Sequence, residues 1–404
     1  MKNLKLSDNC ILVFPSVSWE HNWERQHELI FRYAKHTNSE IYIFNTFGYL
    51  NYGMKDLAKK IFFRLKNDTH KRTGENPICE NMHFVNIKLF IPYHNNMFLR
   101  KLNCILVKIS IMVKYKELLR FIKEKKTIFW CVYSTDIILD MIDRIEPNLI
   151  IFDLAQRRKA DKTLPSYVIS FEEELVRKSD LVFADSRATC QDYSEIRKLK
   201  YFCQGVNVER YLKLERNIDS EILGNIKKPI VGYLGALHSS IDYDLLEYVI
   251  KKNQNCFFVF VGNIVDKKAE ELLQYENVLF TGRVSFYNIK NYTKYFNIGI
   301  IPYLVNDFTN GVSPTKLFEY GIQKIPVVST NINEVNMFNG FVSIANSKDD
   351  FNKSLNVILT TSKEELEKMK NKIFQLSLDN SWEKKFNYFF DEINDSYYNK
   401  MGKK

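Results

Sequence analysis

The sequence predicts an α/β protein made of two doubly wound, parallel-sheet domains, and three observations support this. The chain has 404 residues, which suits two domains better than a single core. In its second half, short apolar runs recur at intervals of about 20–25 residues, and segments of helical pattern separate them. Glycines follow several of these runs directly, at Gly235, Gly262 and Gly282. Since ligands of parallel sheets bind where the strands end, these glycines indicate a binding edge.

The first half alternates strands and helices and is predicted to form an N-terminal domain over residues 1–206. A strand is expected at 10–14, followed by a helix at 22–36. Further strands are expected at 40–45, 127–132, 148–152, 180–184 and 198–203. A basic insertion at 52–126 interrupts this alternation.

The second half predicts a C-terminal domain over residues 229–378, joined to the first by a polar linker at 207–228. Its strands are expected at 229–234, 256–261, 277–281, 298–303 and 325–329. Helices are expected to begin near Asp242, Asp266, Ser285 and Pro314. Alternating strands and helices predict parallel sheets that helices cover on both faces, with a cleft between the two domains.

Composition excludes several classes of protein. The seven cysteines are scattered without a CxxC pair, which points to a reducing compartment and away from a zinc site. The apolar run near the N-terminus is too short for a signal peptide. No stretch of 18 uncharged apolar residues occurs, so a membrane-spanning helix is not expected. The chain is predicted to be cytoplasmic, either soluble or peripherally attached to the inner face of the membrane.

The positive charge is concentrated in the insertion. Residues 55–126 hold 17 lysines and arginines against 6 acidic residues, enough to account for the net charge of +10. An amphipathic helix is expected at 99–126, with one apolar face formed by Leu102, Ile105, Leu106, Ile109 and Val113. This face suits either an anionic lipid surface or the protein core. A basic protein that binds nucleic acid or membrane without catalysis is therefore one alternative, although no recognised nucleic-acid motif is present.

The segment 311–319 has an unusual charge at a predicted helix start. Ser313 suits an N-cap and Pro314 a first helical residue. Lys316 would then lie in the first turn, where a cation opposes the helix dipole at a cost of roughly 0.3–1 kcal/mol. A bound diphosphate would reverse this effect, because backbone N–H groups, the dipole and the ammonium group would all face one anion. Glu319 would lie on the same face, where it can accept hydrogen bonds from ribose hydroxyls.

The stretch 306–330, NDFTNGVSPTKLFEYGIQKIPVVST, resembles the donor-binding signature of GT-B glycosyltransferases of the group 1 type. The bacterial branch with teichuronic acid and xanthan glucuronosyltransferases is the most similar. Weaker resemblance lies at 231–236, 277–283, 179–186 and 205–207. At 381–383 the chain resembles the start of the closing helix, so 379–404 is expected to return to the N-terminal domain.

This resemblance implies a nucleotide-sugar site in which Lys316 contacts the diphosphate and Glu319 holds the ribose. The expected donor-binding residues are Gly235, Gly262, Arg283, Val284, Gly311, Val312, Ser313, Pro314, Thr315, Lys316 and Glu319. Many relatives carry a second glutamate eight residues before the one at Glu319, where this chain has Gly311. The donor sugar and the stereochemistry of transfer therefore stay open.

Other candidate residues have competing explanations. The resemblance implies an N-domain general base, and Asp153 is the candidate, with Asp136 as its rival; Asp153 is equally suited to cap a helix. Trp19, His21 and Arg25 are expected on the acceptor side of the cleft. The Asp242-Tyr243-Asp244 sequence matches a metal-binding DxD but favours a helix N-terminus.

The sequence thus predicts a glycosyltransferase that moves a sugar from a nucleotide-diphosphate donor, UDP-linked by preference. The expected acceptor is lipid-linked or a growing polysaccharide of the bacterial cell surface. No cofactor, essential metal or nucleic acid is expected. A nucleotide-sugar epimerase of the same fold is the enzymatic alternative.

Overall fold

A computed structural model describes residues 9–19, 23–44, 76–87, 96–213, 221–284 and 288–402. The chain divides into two compact units. The first comprises Met1–Phe202 together with Phe386–Lys404, and the second comprises Cys203–Lys385.

The described part of the first unit contains a parallel sheet in the order β3-β2-β1-β4-β5-β6-β7. Its strands are β1 (Cys10–Phe14), β2 (Glu40–Phe44), β3 (Met82–Val85), β4 (Thr127–Cys131), β5 (Leu149–Leu154), β6 (Leu181–Ala184) and β7 (Lys200–Tyr201). The central strands are buried along their whole length, as expected of parallel strands that helices cover on both faces.

Helices connect these strands. They are α1 (Arg25–His36), α2 (Met97–Lys114), α3 (Lys116–Glu124), α4 (Asp136–Ile145), α5 (Ser166–Lys178) and α6 (Arg187–Asp192). The expected single helix at 99–126 is wrong, because Tyr115 leaves helical geometry between α2 and α3. The Tyr115 hydroxyl is held by the backbone N–H and C=O of Asn86, which fixes the break.

The second unit contains another parallel sheet, in the order β10-β9-β8-β11-β12-β13. Its strands are β8 (Ile230–Leu234), β9 (Phe257–Val261), β10 (Val278–Gly282), β11 (Ile298–Ile301), β12 (Val327–Thr330) and β13 (Ser343–Ala345). The direction of winding reverses between β8 and β11, so the topological switch point lies between these two strands.

The helices of the second unit are α7 (Val208–Lys213), α8 (Glu221–Gly224), α9 (Tyr243–Lys252), α10 (Ile289–Thr293), α11 (Lys316–Gly321), α12 (Asn333–Asn336), α13 (Lys348–Thr360) and α14 (Lys363–Asp379). The helix expected to begin near Asp266 is present as a 3₁₀ helix, Lys267–Gln274, with Asp266 at its N-cap. The segment 207–228, expected to be a linker, lies within this unit, and Tyr211 and Leu223 are buried in its core. Residues 214–220 of that segment lie outside the described part.

The last helix, α15 (Trp382–Met401), returns the chain from the second unit to the first. Its Phe389 is fully buried and packs on Trp130 and Phe183 of the first sheet, at ring-centroid distances of 5.0 and 4.5 Å. Near its end, the Lys400 ammonium group lies 2.6 Å from the Asp180 carboxylate. The helix therefore completes the core of the first unit.

Candidate nucleotide-sugar site

The switch point of the second sheet brings together residues that lie far apart in sequence. Gly235 follows β8 directly, and Tyr303 lies two residues beyond β11. The Lys316 side chain from α11 reaches between them. Its Nζ donates a hydrogen bond to the Tyr303 hydroxyl over 2.9 Å. A Cβ added to Gly235 would lie 2.6 Å from Lys316 Cε and 3.0 Å from Nζ. The structure thus places Gly235 and Lys316, both among the expected donor-binding residues, next to each other.

Two glycines allow the backbone to pack closely beside this lysine. Gly235 has a φ of +131°, and Gly262, which follows β9, has a φ of +156°. A Cβ on Gly262 would lie 2.1 Å from the Gly235 carbonyl oxygen, which excludes any side chain there. The turns after β8 and β9 therefore pack closely against each other and against Lys316, and we term these two turns the glycine floor.

The Lys316 ammonium group is surrounded by aromatic rings. It lies 5.4 Å from the ring centre of Tyr233 and 5.5 Å from that of Tyr303. Burial disfavours the charged amine, but the two phenol oxygens and the Glu319 carboxylate outweigh burial, and the pKa of Lys316 is raised. The charged form of Lys316 is therefore favoured at neutral pH, at the edge where the strands end.

Glu319 lies one turn further along α11, half-buried beside residues of α7. Burial raises the pKa of its carboxyl group, while Lys316, the Tyr211 hydroxyl and Arg210 oppose that shift. Tyr211 is itself buried, and its hydroxyl lies beside the carboxylate. The predicted pair of Lys316 and Glu319 is thus part of a larger polar group, and sequence reasoning did not single out Tyr211, Tyr233 or Tyr303.

The expected helix start at Ser313 and Pro314 is wrong. Helix α11 begins at Lys316, and Thr315 at its N-cap position has helical dihedral angles and no side-chain cap. The Ser313 hydroxyl oxygen instead accepts a hydrogen bond from the Gln204 N–H over 3.2 Å. A helix of six residues has a weak dipole, so the dipole attracts an anion less than the ammonium group of Lys316 does.

The remaining predicted donor-site residues lie on two segments, one that precedes α11 and one that follows β10. Gly311 ends the 3₁₀ turn Thr309–Gly311, with its N–H bonded to the Phe308 carbonyl, and the half-buried Val312 leads to the buried Pro314. Arg283 and Val284 follow Gly282, which has a φ of +71°. Gly282 pairs with Gly262 across an isolated bridge, so the exposed Arg283 lies next to the floor formed by the glycine turns.

We expect Glu319→Gln to stabilise the ligand-free protein while weakening UDP binding. Because burial raises the pKa of this carboxyl group in the fold, ionised Glu319 costs stability, and the cost grows as pH rises through the folded pKa. Differential scanning fluorimetry should therefore give a higher Tm for the variant at pH 7.5, with the difference shrinking toward pH 5. Calorimetry should give about tenfold weaker UDP binding, since charge-assisted hydrogen bonds are lost.

The exposed Glu270→Gln is the matched control and should change neither quantity. A Glu319→Gln protein with a lower Tm at pH 7.5, or with the parent's affinity for UDP, would contradict this account of the site.

In the first unit, Asp153, the candidate general base, forms an ion pair with Arg25 that the sequence did not predict. Its side chain is fully buried at the end of β5. Both carboxylate oxygens accept from Arg25 Nε, over 3.1 and 3.0 Å. Arg25 also donates to the Phe202 carbonyl oxygen, and its guanidinium group lies 4.5 Å from the Phe202 ring centre. In this structure the carboxylate is enclosed by its partners, so its role as a general base stays a prediction that would require the ion pair to open.

Arg25, expected on the acceptor side, is 4% exposed and is the ion-pair partner of Asp153. Trp19, also expected on the acceptor side, is 7% exposed and packs edge-on against His27 at 4.9 Å. Its indole N–H donates to the Pro77 carbonyl oxygen. Both side chains are thus engaged within the first unit, and their acceptor-side roles stay predictions. His21 lies outside the described residues.

Two further candidates lie at helix N-termini. Asp136 opens α4 and lies 3.4 Å from Arg100. Asp242 caps α9 by accepting from the Leu245 N–H over 2.8 Å. The interpretation of Asp242-Tyr243-Asp244 as a helix N-terminus is thus confirmed. Among the residues that the structure describes, no helix combines the length and the apolar composition needed to cross a bilayer.

No family model matches this chain. It is 26% identical over 179 residues to a putative teichuronic acid biosynthesis glycosyltransferase, TuaH of Bacillus subtilis. That match spans 44% of this chain and 45% of the relative, so the chain matches less than half the length of this curated relative. The predicted resemblance to the teichuronic acid branch is confirmed over this region.

Solved structures resemble the chain over nearly its whole length. HepE of Anabaena, in complex with UDP and glucose, has a TM-score of 0.65 at 12% identity, covering 96% of this chain and 100% of its own. A glycosyltransferase from Rickettsia africae has a TM-score of 0.66 at 15% identity, with 98% and 99% covered. Sucrose-phosphate synthase of Thermosynechococcus elongatus has a TM-score of 0.65 at 11% identity, with 96% and 98% covered. The predicted fold is confirmed by these likenesses.

Proposed function

We propose that this chain, a protein of the GT-B fold, is a glycosyltransferase that uses a UDP-linked sugar as donor. The observation that carries the proposal is the cation of Lys316, held at the switch point of the second sheet against Gly235 and Tyr303. The similarity to a putative teichuronic acid glycosyltransferase supports the reaction class. The presence of UDP and glucose in the structure of HepE, which has the same fold, supports the nucleotide.

In the proposed reaction, the bond between the sugar C1 and the β-phosphate oxygen breaks, and a bond between C1 and an acceptor hydroxyl oxygen forms. UDP leaves with the electron pair, so negative charge grows on the diphosphate in the transition state, and the proton of the acceptor hydroxyl passes to that diphosphate or to water. Lys316 is placed to neutralise that charge, and the exposed Arg283 beside the glycine floor adds a second cation. Preorganised charges of this kind contribute most when they are fixed before the reaction begins.

Glu319 is proposed to hold the ribose, because its carboxylate lies one turn from Lys316 on α11. The contacts with Tyr211 and Arg210 favour the ionised form that accepts hydrogen bonds. The nucleotide would thus be fixed at two points, by its diphosphate and by its ribose. Since cationic side chains neutralise the diphosphate, we propose a transfer that needs neither an essential metal nor a cofactor.

The acceptor is proposed to be a lipid-linked or growing polysaccharide of the bacterial cell surface. Teichuronic acid biosynthesis is the role given to the relative in Bacillus subtilis, and it supports this class of acceptor. A lipid-linked acceptor would place the enzyme in the cytoplasm, at the inner face of the membrane. The excess of basic residues between 55 and 126 suits that location, since anionic lipids attract such segments.

A screen of nucleotide sugars in the presence of EDTA tests this proposal. We expect a UDP-sugar to raise the Tm most, because ligands that bind only the folded state stabilise it. The same donor should release UDP, with faster release when extracts containing lipid-linked glycans are added. Conversion of the donor to its epimer without transfer, or complete loss of turnover in EDTA, would contradict the proposal.

A further inference from the structure

Helix α2 exposes an apolar surface that the proposed chemistry does not explain. Its side chains Phe98, Ile105, Ile109, Met112 and Val113 form what we term the α2 outer face. Their exposed fractions are 73%, 53%, 51%, 54% and 66%, respectively. Single exposed apolar side chains are common on protein surfaces, but a cluster of large ones on one helix is unusual.

The opposite side of the helix is the one that packs in the protein. Asn103, Val107 and Ile111 recur every four residues and are buried, and α2 packs against α4 along this side. At 100° per residue, the five side chains of the α2 outer face lie together on the other half of the helix. Packing in the core therefore buries this side of the helix and leaves the α2 outer face exposed.

The charges of α2 indicate what this surface binds. The helix contains no aspartate or glutamate, and Lys101, Lys108 and Lys114 are all exposed. Lys101 lies one turn before Ile105, and Lys108 lies one turn before Met112, so both ammonium groups border the α2 outer face. Apolar side chains next to lysines, without intervening acids, match a lipid surface with anionic headgroups.

We infer that the α2 outer face is a docking surface for an anionic lipid bilayer. The apolar side chains would enter the boundary between headgroups and acyl chains, while Lys101 and Lys108 contact the headgroups. A symmetric contact with a second copy would bring the lysines of both copies together, because a twofold interface pairs the same patch with itself. Nucleic acid would use the cations but would gain little from five exposed apolar side chains.

Vesicle co-sedimentation at physiological salt tests this inference. We expect the full chain to bind vesicles made of phosphatidylglycerol and phosphatidylcholine in equal parts. Its affinity for vesicles of pure phosphatidylcholine should be lower by about tenfold or more. Ile105→Ser combined with Ile109→Ser should weaken binding about tenfold or more, because less apolar surface leaves water. Lys101→Glu combined with Lys108→Glu should remove the preference for the anionic vesicles.

The matched control is Val265→Ser combined with Leu273→Ser, which changes side chains of the second unit that are 66% and 56% exposed. This control should bind vesicles like the parent, and all variants should keep the parent's Tm. Equal binding to both kinds of vesicle, or an equal loss in the control, would overturn the inference. So would a concentration-dependent dimer that the Ile105 and Ile109 changes dissociate, since the face would then join two copies.

The inference rests on the proposed membrane location but not on the proposed sugar transfer. Vesicle binding is measured without any nucleotide sugar, so the two proposals fail separately. A protein that transfers sugar from a UDP donor but does not bind anionic vesicles overturns only the docking surface. A protein that binds them through the α2 outer face but releases no UDP overturns only the transferase.

Discussion

Replacing Lys316 by methionine is expected to lower the turnover of the proposed sugar transfer by about two to three orders of magnitude. Methionine keeps an unbranched stem between the rings of Tyr233 and Tyr303 but removes the charge. Removing one preorganised group that stabilises developing negative charge typically costs about 10²–10³ in turnover. The affinity for UDP should fall as well, by about tenfold or more, because a hydrogen bond from a charged donor is lost. Steady-state release of UDP and calorimetry with UDP measure the two effects.

Gly235→Ala provides an independent test of the same contact. Its methyl group would lie 2.6 Å from Lys316 Cε, at a backbone φ of +131° that side chains rarely adopt. The lysine must therefore move, and activity should fall although the cation is still present. Lys348→Ala, which removes an exposed cation from the same unit, is the control and should leave UDP release unchanged. A Lys316→Met enzyme with the parent's turnover would contradict the proposed role of this residue.

The sequence allowed the central strands of both sheets to be predicted, because parallel strands covered on both faces must be continuously apolar. The run at 10–14 and the run at 256–261 illustrate this, and both are almost wholly buried. The edge strands β3 and β13 were not predicted. They have four and three residues and include half-exposed positions, so neither length nor periodicity separates them from loops.

The candidate site was predictable only where a local rule was broken. The charge of Lys316 does not suit the first turn of a helix, which indicates a ligand, and the structure places this residue at the switch point. Tyr303 and Tyr211 follow no local pattern, since their contacts depend on how β11 and α7 approach α11 in the fold. The contact between Arg25 and Asp153 joins residues 128 positions apart, and no spacing in the sequence signals it. An acid at the end of a buried strand fits a catalytic role and a structural ion pair equally well.

Replacing Asp153 by alanine is expected to destabilise the first unit, by about 3–5 kcal/mol. The change leaves the Arg25 guanidinium group, which is 4% exposed, buried without its carboxylate. Breaking a buried ion pair on one side carries a cost of this size, because the charge that stays behind is still desolvated. Asp136→Ala is the matched control and should cost less, since the side chains of Arg100 and Asp136 are 14% and 21% exposed, whereas those of Arg25 and Asp153 are 2% and 0% exposed. Urea denaturation of the full chain, followed through the unfolding of its first unit, measures the change in unfolding free energy for both variants.

The double variant Arg25→Met with Asp153→Leu separates a structural role from a catalytic one. Because it removes both charges and fills the space with apolar side chains, it should recover most of the stability lost in Asp153→Ala. If the pair is structural, the double variant should also retain UDP-dependent transfer when it is assayed well below its Tm. If it is stable and inactive, or if Asp153→Ala keeps the parent's stability and loses transfer, Asp153 is the base. The ion pair with Arg25 would then have to open when the acceptor binds.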